Sequence, residues 1–259
     1  MLETRHKSID ISVDHQHIAG TLVASSARVP GVLLVHGWDG NQQQYLARAH
    51  ELAALGCVCL TFDLRGHARH VAQRQEVTRE DNLRDVLAAY DVLATQPGVD
   101  PGSIAIIGSS YGGYLAAIVT QLRAVRWLAL RVPALYRDEE WSVPKGRLSR
   151  EDLASYRLGF IDPETNRALK ACAEFRGDAL IVESEFDKTV PHPVIANYLG
   201  AFRRVRSVTY RVISGADHAL SNEEWRHSYG MLLTAWMTEM TMGARAAPGT
   251  VRTPLKNTV

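Results

Sequence analysis

Cysteine is scarce in this chain: Cys57, Cys59 and Cys172 are all that 259 residues contain. They show neither a disulfide framework nor a Cys-x-x-Cys spacing, and they read as reduced, buried small hydrophobes. No stretch is apolar for long enough to span a bilayer, and the first ten residues lack the apolar run of a secretory signal. The expectation is a cytoplasmic protein with no membrane partner. Neither sign of charge is in excess, because 29 Lys and Arg stand against 28 Asp and Glu for a formal charge of +1. That balance lacks the concentrated basic surface a nucleic acid requires. No phosphate loop or dinucleotide fingerprint occurs, so no cofactor is expected. Internal repeats are also missing.

What is present is an ordinary globular composition, 46% hydrophobic and 22% charged. The reading is one domain over residues 1–242, acting on a small molecule, with a homodimer left open. Residues 8–13 and 17–24 read as an N-terminal hairpin around a polar bend at Asp14. From residue 31 onward, short apolar runs (31–36, 57–63, 103–108, 127–132, 179–183 and 207–213) read as strands buried on both faces. Helix patterns over 43–55, 78–95, 111–123, 193–203 and 223–240 lie between or after them. The second is marked by Thr78-Arg79-Glu80-Asp81, which has the form of an N-terminal cap with acidic first-turn residues. Alternation of this kind predicts the α/β class, a mostly parallel central sheet with helices on both faces, whose chemistry sits beyond the carboxyl ends of the strands. Two segments break the alternation. Residues 133–176, rich in aromatic and charged side chains, read as a small cap insertion. Residues 243–259 mix Gly, Pro, Thr and basic residues and read as a flexible tail.

The chemistry-bearing motif is Gly108-Ser109-Ser110-Tyr111-Gly112, preceded by the apolar run 104–107 and followed by the helical run 114–119. A sharp strand-to-helix turn holds its serine in a strained conformation, with the hydroxyl clear of the sheet and the helix amides favouring developing negative charge. The plain alternative is a glycine-rich helix cap with Ser110 or Ser109 as N-cap. The strand before and the helix after favour Ser110 as a nucleophile. This context resembles the α/β-hydrolase superfamily from Gly31 to about Met240. The wording Ser110-Tyr111-Gly112-Gly113-Tyr114 is similar to the dienelactone-hydrolase-like, prolyl-oligopeptidase-like branch. Dienelactone hydrolases proper carry cysteine at the position of Ser110, and oligopeptidases carry a propeller for which this chain has no room.

A serine hydroxyl needs a base to take its proton and an acid to orient that base. The resemblance implies the order nucleophile, acid, histidine, with the last two in loops after late strands. Asp187, in a loop ending Asp-x-x-Val-Pro, is the implied acid, and Glu183 and Glu185 compete with it. His218, in Gly215-Ala216-Asp217-His218 after the last strand, is the implied base. His192 abuts the acid loop, His227 lies within a helix pattern, and Asp217 reads as a turn residue. The oxyanion donors implied are the backbone N–H groups of Tyr111 and of Trp38, the latter in His36-Gly37-Trp38. Asp63 and Arg65 read as loop-fixing residues. His36, His67 and His70 have no recognised metal-ligand spacing, so no metal is expected. Tyr136 and Trp141 are candidates to line the substrate pocket, together with Arg131 and Arg147. The expected activity is a carboxylesterase-like serine hydrolase that cleaves a small-molecule ester through an acyl-enzyme on Ser110. The same triad would serve a thioester, amide, lactone or carbon–carbon bond, or acyl transfer to a nucleophile other than water. A non-catalytic binding protein on the same fold is the rival of another class.

Overall fold

A computed structural model describes residues 5–24 and 29–245. The strands are β1 (Arg5–Val13), β2 (Gln16–Ala24), β3 (Val29–Val35), β4 (Val58–Phe62), β5 (Val99–Ser109), β6 (Trp127–Arg131), β7 (Asp178–Ser184) and β8 (Ser207–Ile213). The α-helices are α1 (Leu46–Ala54), α2 (Arg79–Ala94), α3 (Tyr111–Leu122), α4 (Arg150–Tyr156), α5 (Arg167–Glu174), α6 (His192–Ala201) and α7 (Glu223–Arg245). The strands form one sheet in the order β1-β2-β4-β3-β5-β6-β7-β8. The pairs β1–β2 and β2–β4 are antiparallel and the rest parallel. Asp14 and His15 turn the first hairpin with φ of 46° and 63°, the sign at both central residues that a two-residue turn needs to match strand twist.

The apolar runs are strands because the sheet is covered on both faces. All seven residues of β3 are buried. Leu33 and Val35 point into a core shared with α2, α3, α5 and α6, while Val32 and Leu34 point into a second core under α1 and α7. Each such side chain contributes about 1.5–3 kcal/mol by leaving water. On α7 the buried residues Tyr229, Leu233, Trp236 and Met237 recur at helical spacing. α2 starts at the cap seen in the sequence: the Thr78 hydroxyl accepts the Asp81 N–H at 3.1 Å, and the Asp81 carboxylate accepts the Thr78 N–H at 2.8 Å.

Sheet order also locates the site. After β3 the chain moves outward to β4, then returns across β3 to place β5 on its other side. The crevice beyond the carboxyl ends of β3 and β5 is therefore the topological switch point, where an α/β sheet leaves room for a ligand.

Three expectations need correction. Among the described residues β8 is an edge strand, paired only with β7, and exposes Val208 and Val212, so it is not buried on both faces. The segment 133–176 is not all cap: its last helix, α5, packs against α3 and α6 as the crossover that parallel neighbours β6 and β7 require. At eight residues it is too short for its periodicity to stand out. Finally, α7 runs on through Arg245, three residues into the stretch read as a tail; residues 246–259 lie outside those described. Among the described residues no helix is long and apolar enough to cross a membrane.

Thr78→Ala removes one half of the α2 cap and is expected to cost about 1 kcal/mol. Urea unfolding should show a lower midpoint at unchanged slope, and an unaltered midpoint would mean that the cap carries no stability.

Candidate active site

β5 ends at Ser109 and α3 begins at Tyr111, so Ser110 alone makes the turn, at φ 52° and ψ −117°. This is strained backbone for a residue with a Cβ, costing on the order of 1–3 kcal/mol. Three backbone hydrogen bonds hold it: Ser110 N–H donates to Arg131 O at 2.9 Å, and Ser110 O accepts from Tyr114 N–H at 3.1 Å and Ala134 N–H at 3.0 Å. Close approach permits the turn only between glycines. A Cβ on Gly108 would come within 2.5 Å of Gly112 O, and one on Gly112 would run into the carbonyl oxygens of Val35 and His36. Although Ser110 occupies the N-cap position of α3, its hydroxyl makes no cap bond.

That hydroxyl lies 3.0 Å from His218 Nε2. His218 Nδ1 lies 2.6 Å from Asp187 Oδ2. The other Asp187 oxygen accepts the backbone N–H groups of Thr189 and Val190 at 2.8 and 2.7 Å. The Asp187 side chain is 2% exposed, against 25% for His218. This pattern gives the neutral imidazole its proton on Nδ1 and leaves Nε2 to accept from Ser110 Oγ. Glu183 and Glu185 are engaged elsewhere, the first with His192 and Tyr210, the second with Ser214 and Gly215. Asp217 accepts from Ser221 N–H as a turn residue. Ser109 faces away from His218, its hydroxyl accepting from Arg131 Nε at 3.2 Å.

The loop after β3 is fixed by its neighbours. Buried His36 accepts the Leu64 N–H at Nε2 (3.0 Å) and faces Gly37 O with Nδ1 (2.8 Å). With both nitrogens engaged in this way, Nδ1 is the donor. Burial holds the His36 imidazole below its ordinary pKa, and burial followed by the nearby His36 lowers His67 to about 4. The edge-on ring contact of His36 with His67, 4.9 Å between centroids, is therefore a packing of neutral rings. Asp63 accepts Gln42 N–H and Nε2 at 2.8 and 3.0 Å, and Arg65 pairs with buried Asp85 at 2.6 Å. Both residues fix loops. Among the described residues no three His, Cys, Asp or Glu side chains converge so as to hold a metal ion.

Trp38 and Tyr111 face each other across this crevice, with ring centroids 5.4 Å apart and planes at 87°. Neither of their backbone N–H groups has a backbone acceptor among the described residues. A cavity of about 590 Å³ opens over Ser110 and His218, lined also by Trp38, Tyr136, Leu148 and Leu153. Tyr136, named from the sequence as a pocket candidate, is in this lining. Trp141 does not: its indole N–H donates to Glu80 at 2.5 Å, and the guanidinium of Arg167 covers its ring at 4.3 Å. An indole N–H out of water needs an acceptor, and Glu80 supplies it away from the cavity. Arg147 is also absent from the lining.

Arg131, a pocket candidate by sequence, lies behind the site. Besides Ser109 it reaches His218 O, which accepts from Nη1 at 2.8 Å. One guanidinium thereby ties the Ser110 turn to the histidine loop. Sequence reasoning missed the cations of the cavity, Arg74, Lys145, Arg150, Arg157 and Lys188. Scattered over three segments, they carry no periodicity. A second concavity, of about 410 Å³ and lined by Arg126, Gly177 and Arg206, lies at the opposite, amino ends of β6 to β8.

Residues 32–251 match the model of the alpha/beta hydrolase family. A thiohydrolase of Aspergillus aculeatus is 31% identical over 135 residues, 50% of this chain and 42% of its own. A pimeloyl-[acyl-carrier protein] methyl ester esterase of Chromobacterium violaceum is 31% identical over 144 residues, 54% of this chain and 52% of its own. The chain spans about half or less of the length of these curated relatives. Among solved structures, a dienelactone hydrolase from Anabaena variabilis superposes with a TM-score of 0.66 at 18% identity, over 91% of this chain and 98% of that one. At that identity the likeness is one of fold.

Two outcomes follow from the geometry. Gly112→Ala drives a methyl into two backbone carbonyls and should cost more than about 3 kcal/mol, above ordinary overpacking; an unchanged urea midpoint would contradict the close approach. Arg131→Met frees the histidine loop from the Ser110 turn and should lower kcat about 10- to 100-fold while circular dichroism stays native, as misplacement of reacting groups does. Wild-type kcat would show that the tie is dispensable.

Proposed function

The chain belongs to the alpha/beta hydrolase family, and on that footing we propose that it is a serine hydrolase that cleaves a small-molecule carboxylic ester through an acyl-enzyme on Ser110. The observation that carries the reading is the hydrogen-bonded chain Ser110 Oγ–His218–Asp187, with steps of 3.0 and 2.6 Å. Those are distances at which a proton can pass from the hydroxyl to Nε2.

In this reading Ser110 Oγ bonds to the acyl carbon as its proton moves to His218 Nε2, and the carbonyl oxygen becomes an oxyanion. The backbone N–H groups of Trp38 and Tyr111 donate to it. When the tetrahedral carbon collapses, the bond to the leaving oxygen breaks and that oxygen takes the proton back from Nε2. Water then repeats both steps on the ester of Ser110, releasing the acid and restoring the hydroxyl. Asp187 does not take up a proton. It accepts the Nδ1–H throughout and balances the imidazolium, and its own geometry is held by the Thr189 and Val190 amides.

A thioester is the second reading, favoured by the likeness to a protein named as a thiohydrolase. The chemistry at Ser110 is unchanged, with a thiolate as the leaving group. A binding protein without catalysis is disfavoured by a Ser110 hydroxyl that meets His218 rather than capping α3.

Ser110→Ala should reduce turnover of a short-chain 4-nitrophenyl ester on the order of 10⁴-fold or more, the scale of removing a nucleophile. Wild-type turnover by this variant would remove Ser110 from the mechanism. Matched ester and thioester pairs compared by kcat/KM decide between the two leaving groups.

A further inference from the structure

The cavity over Ser110 is far more basic than the chain as a whole. Five of its lining residues are Lys or Arg, and Asp39 is its single carboxylate. Asp39 is already paired with Arg74. Among the described residues the others have no such partner. Arg157 is buried, and its guanidinium donates to the neutral carbonyls Leu135 O at 3.2 Å and Thr189 O at 2.8 Å and lies against the Tyr136 ring, with no carboxylate partner among the described residues.

Lys145 is the sharpest case. Its backbone N–H is tied to Val77 O at 2.9 Å, which fixes the turn that carries it. From there Nζ reaches into a box of three rings, 4.4 Å from the centroid of Trp38, 5.4 Å from Tyr136 and 5.7 Å from Tyr111. Ring faces attract the charge but supply no lone pair for its three N–H donors. Among the described residues no carboxylate lies within ion-pairing distance of it, Asp39 being held by Arg74. Burial, and after it the nearby Arg157, pulls the Lys145 ammonium down to about 8. A half-desolvated cation with free donors is costly to maintain unless something pairs with it. Trp38 and Tyr111 are also the residues whose amides would receive the acyl oxygen in the proposed mechanism, and Lys145 lines the same cavity as Ser110, so a group that pairs with Lys145 can belong to a molecule seated at Ser110.

We propose that this cavity selects substrates carrying an anionic oxygen group, a carboxylate or a phosphate, with Lys145 Nζ as its counter-ion and Arg157 beside it. The inference rests on Ser110 as the nucleophile and adds the substrate class. A chain of formal charge +1 is compatible with this, because selection needs only a local field inside a low-dielectric cleft.

The test compares esters matched in length. On the acyl arm these are 4-nitrophenyl hydrogen glutarate, its neutral methyl-capped analogue, and a 4-phosphonobutyrate of the same leaving group. On the leaving arm they are 3-carboxyphenyl butyrate and its methyl ester. The wild-type protein is expected to favour the charged member in at least one arm by about 10- to 100-fold in kcat/KM, the range of one charge-assisted hydrogen bond. Whether carboxylate or phosphonate gains more identifies the source of the charge. Lys145→Met should bring the charged-to-neutral ratio down to about one, and Lys145→Arg should restore most of it. A wild-type ratio of one or less in both arms overturns the inference without any variant, and so does a ratio that Lys145→Met leaves unchanged. If Ser110→Ala still turns over the neutral esters, the nucleophile assignment has failed. If turnover depends on Ser110 but is blind to charge, only the anion inference falls.

Discussion

The first turn of α3 lies against the carboxyl end of β3 so closely that Gly112 has no room for a side chain between the carbonyls of Val35 and His36. Everything functional depends on that contact. It brings the serine turn and the loop carrying Trp38 to one crevice, and it fixes Ser110 in a left-handed conformation that no isolated peptide would hold. The strain of that conformation is offset by three backbone hydrogen bonds, from β6, from α3 itself and from the start of the β6–β7 connection. A residue so over-determined cannot relax, so its hydroxyl stays where His218 meets it.

Around that fixed point the site is assembled from separate strand ends. The Ser110 turn follows β5, the Asp187 loop β7, the His218 loop β8 and the Trp38 loop β3. Loops that are independent in sequence need ties in space. Arg131 supplies one by bonding Ser109 and His218 together, and His36 supplies another by bridging Leu64 and Gly37. Both are polar residues buried with their partners satisfied, which rigidifies a site where an unpaired group would be costly. Lys145 departs from that rule. Its ammonium has no carboxylate partner among the described residues, and it sits in the lining of the cavity over Ser110.

How much of this was legible in the sequence depends on the range of the interaction. The parallel sheet was readable because strands covered on both faces are apolar throughout, as in β3. The α2 cap was readable because Thr78 and Asp81 are three residues apart. The glycines around Ser110 announced a tight turn. By contrast, α5 is too short to show periodicity, and β8 looked buried because edge position is a property of the sheet, not of seven residues. Trp141 was misplaced because nothing local reveals that its indole is taken by Glu80, 61 positions away in the chain. The cationic lining of the cavity was invisible for the same reason. Arg74, Lys145 and Arg157 meet only when the β6–β7 connection folds over the carboxyl ends of the strands.

The central claim is that one serine among several is activated, by position and by His218. The most direct measurement is reaction with a fluorophosphonate followed by intact-mass analysis and peptide mapping. The account predicts a single adduct, on Ser110, formed rapidly and abolished when His218 is replaced by alanine. An adduct on Ser109, or labelling that proceeds equally well without His218, would contradict it.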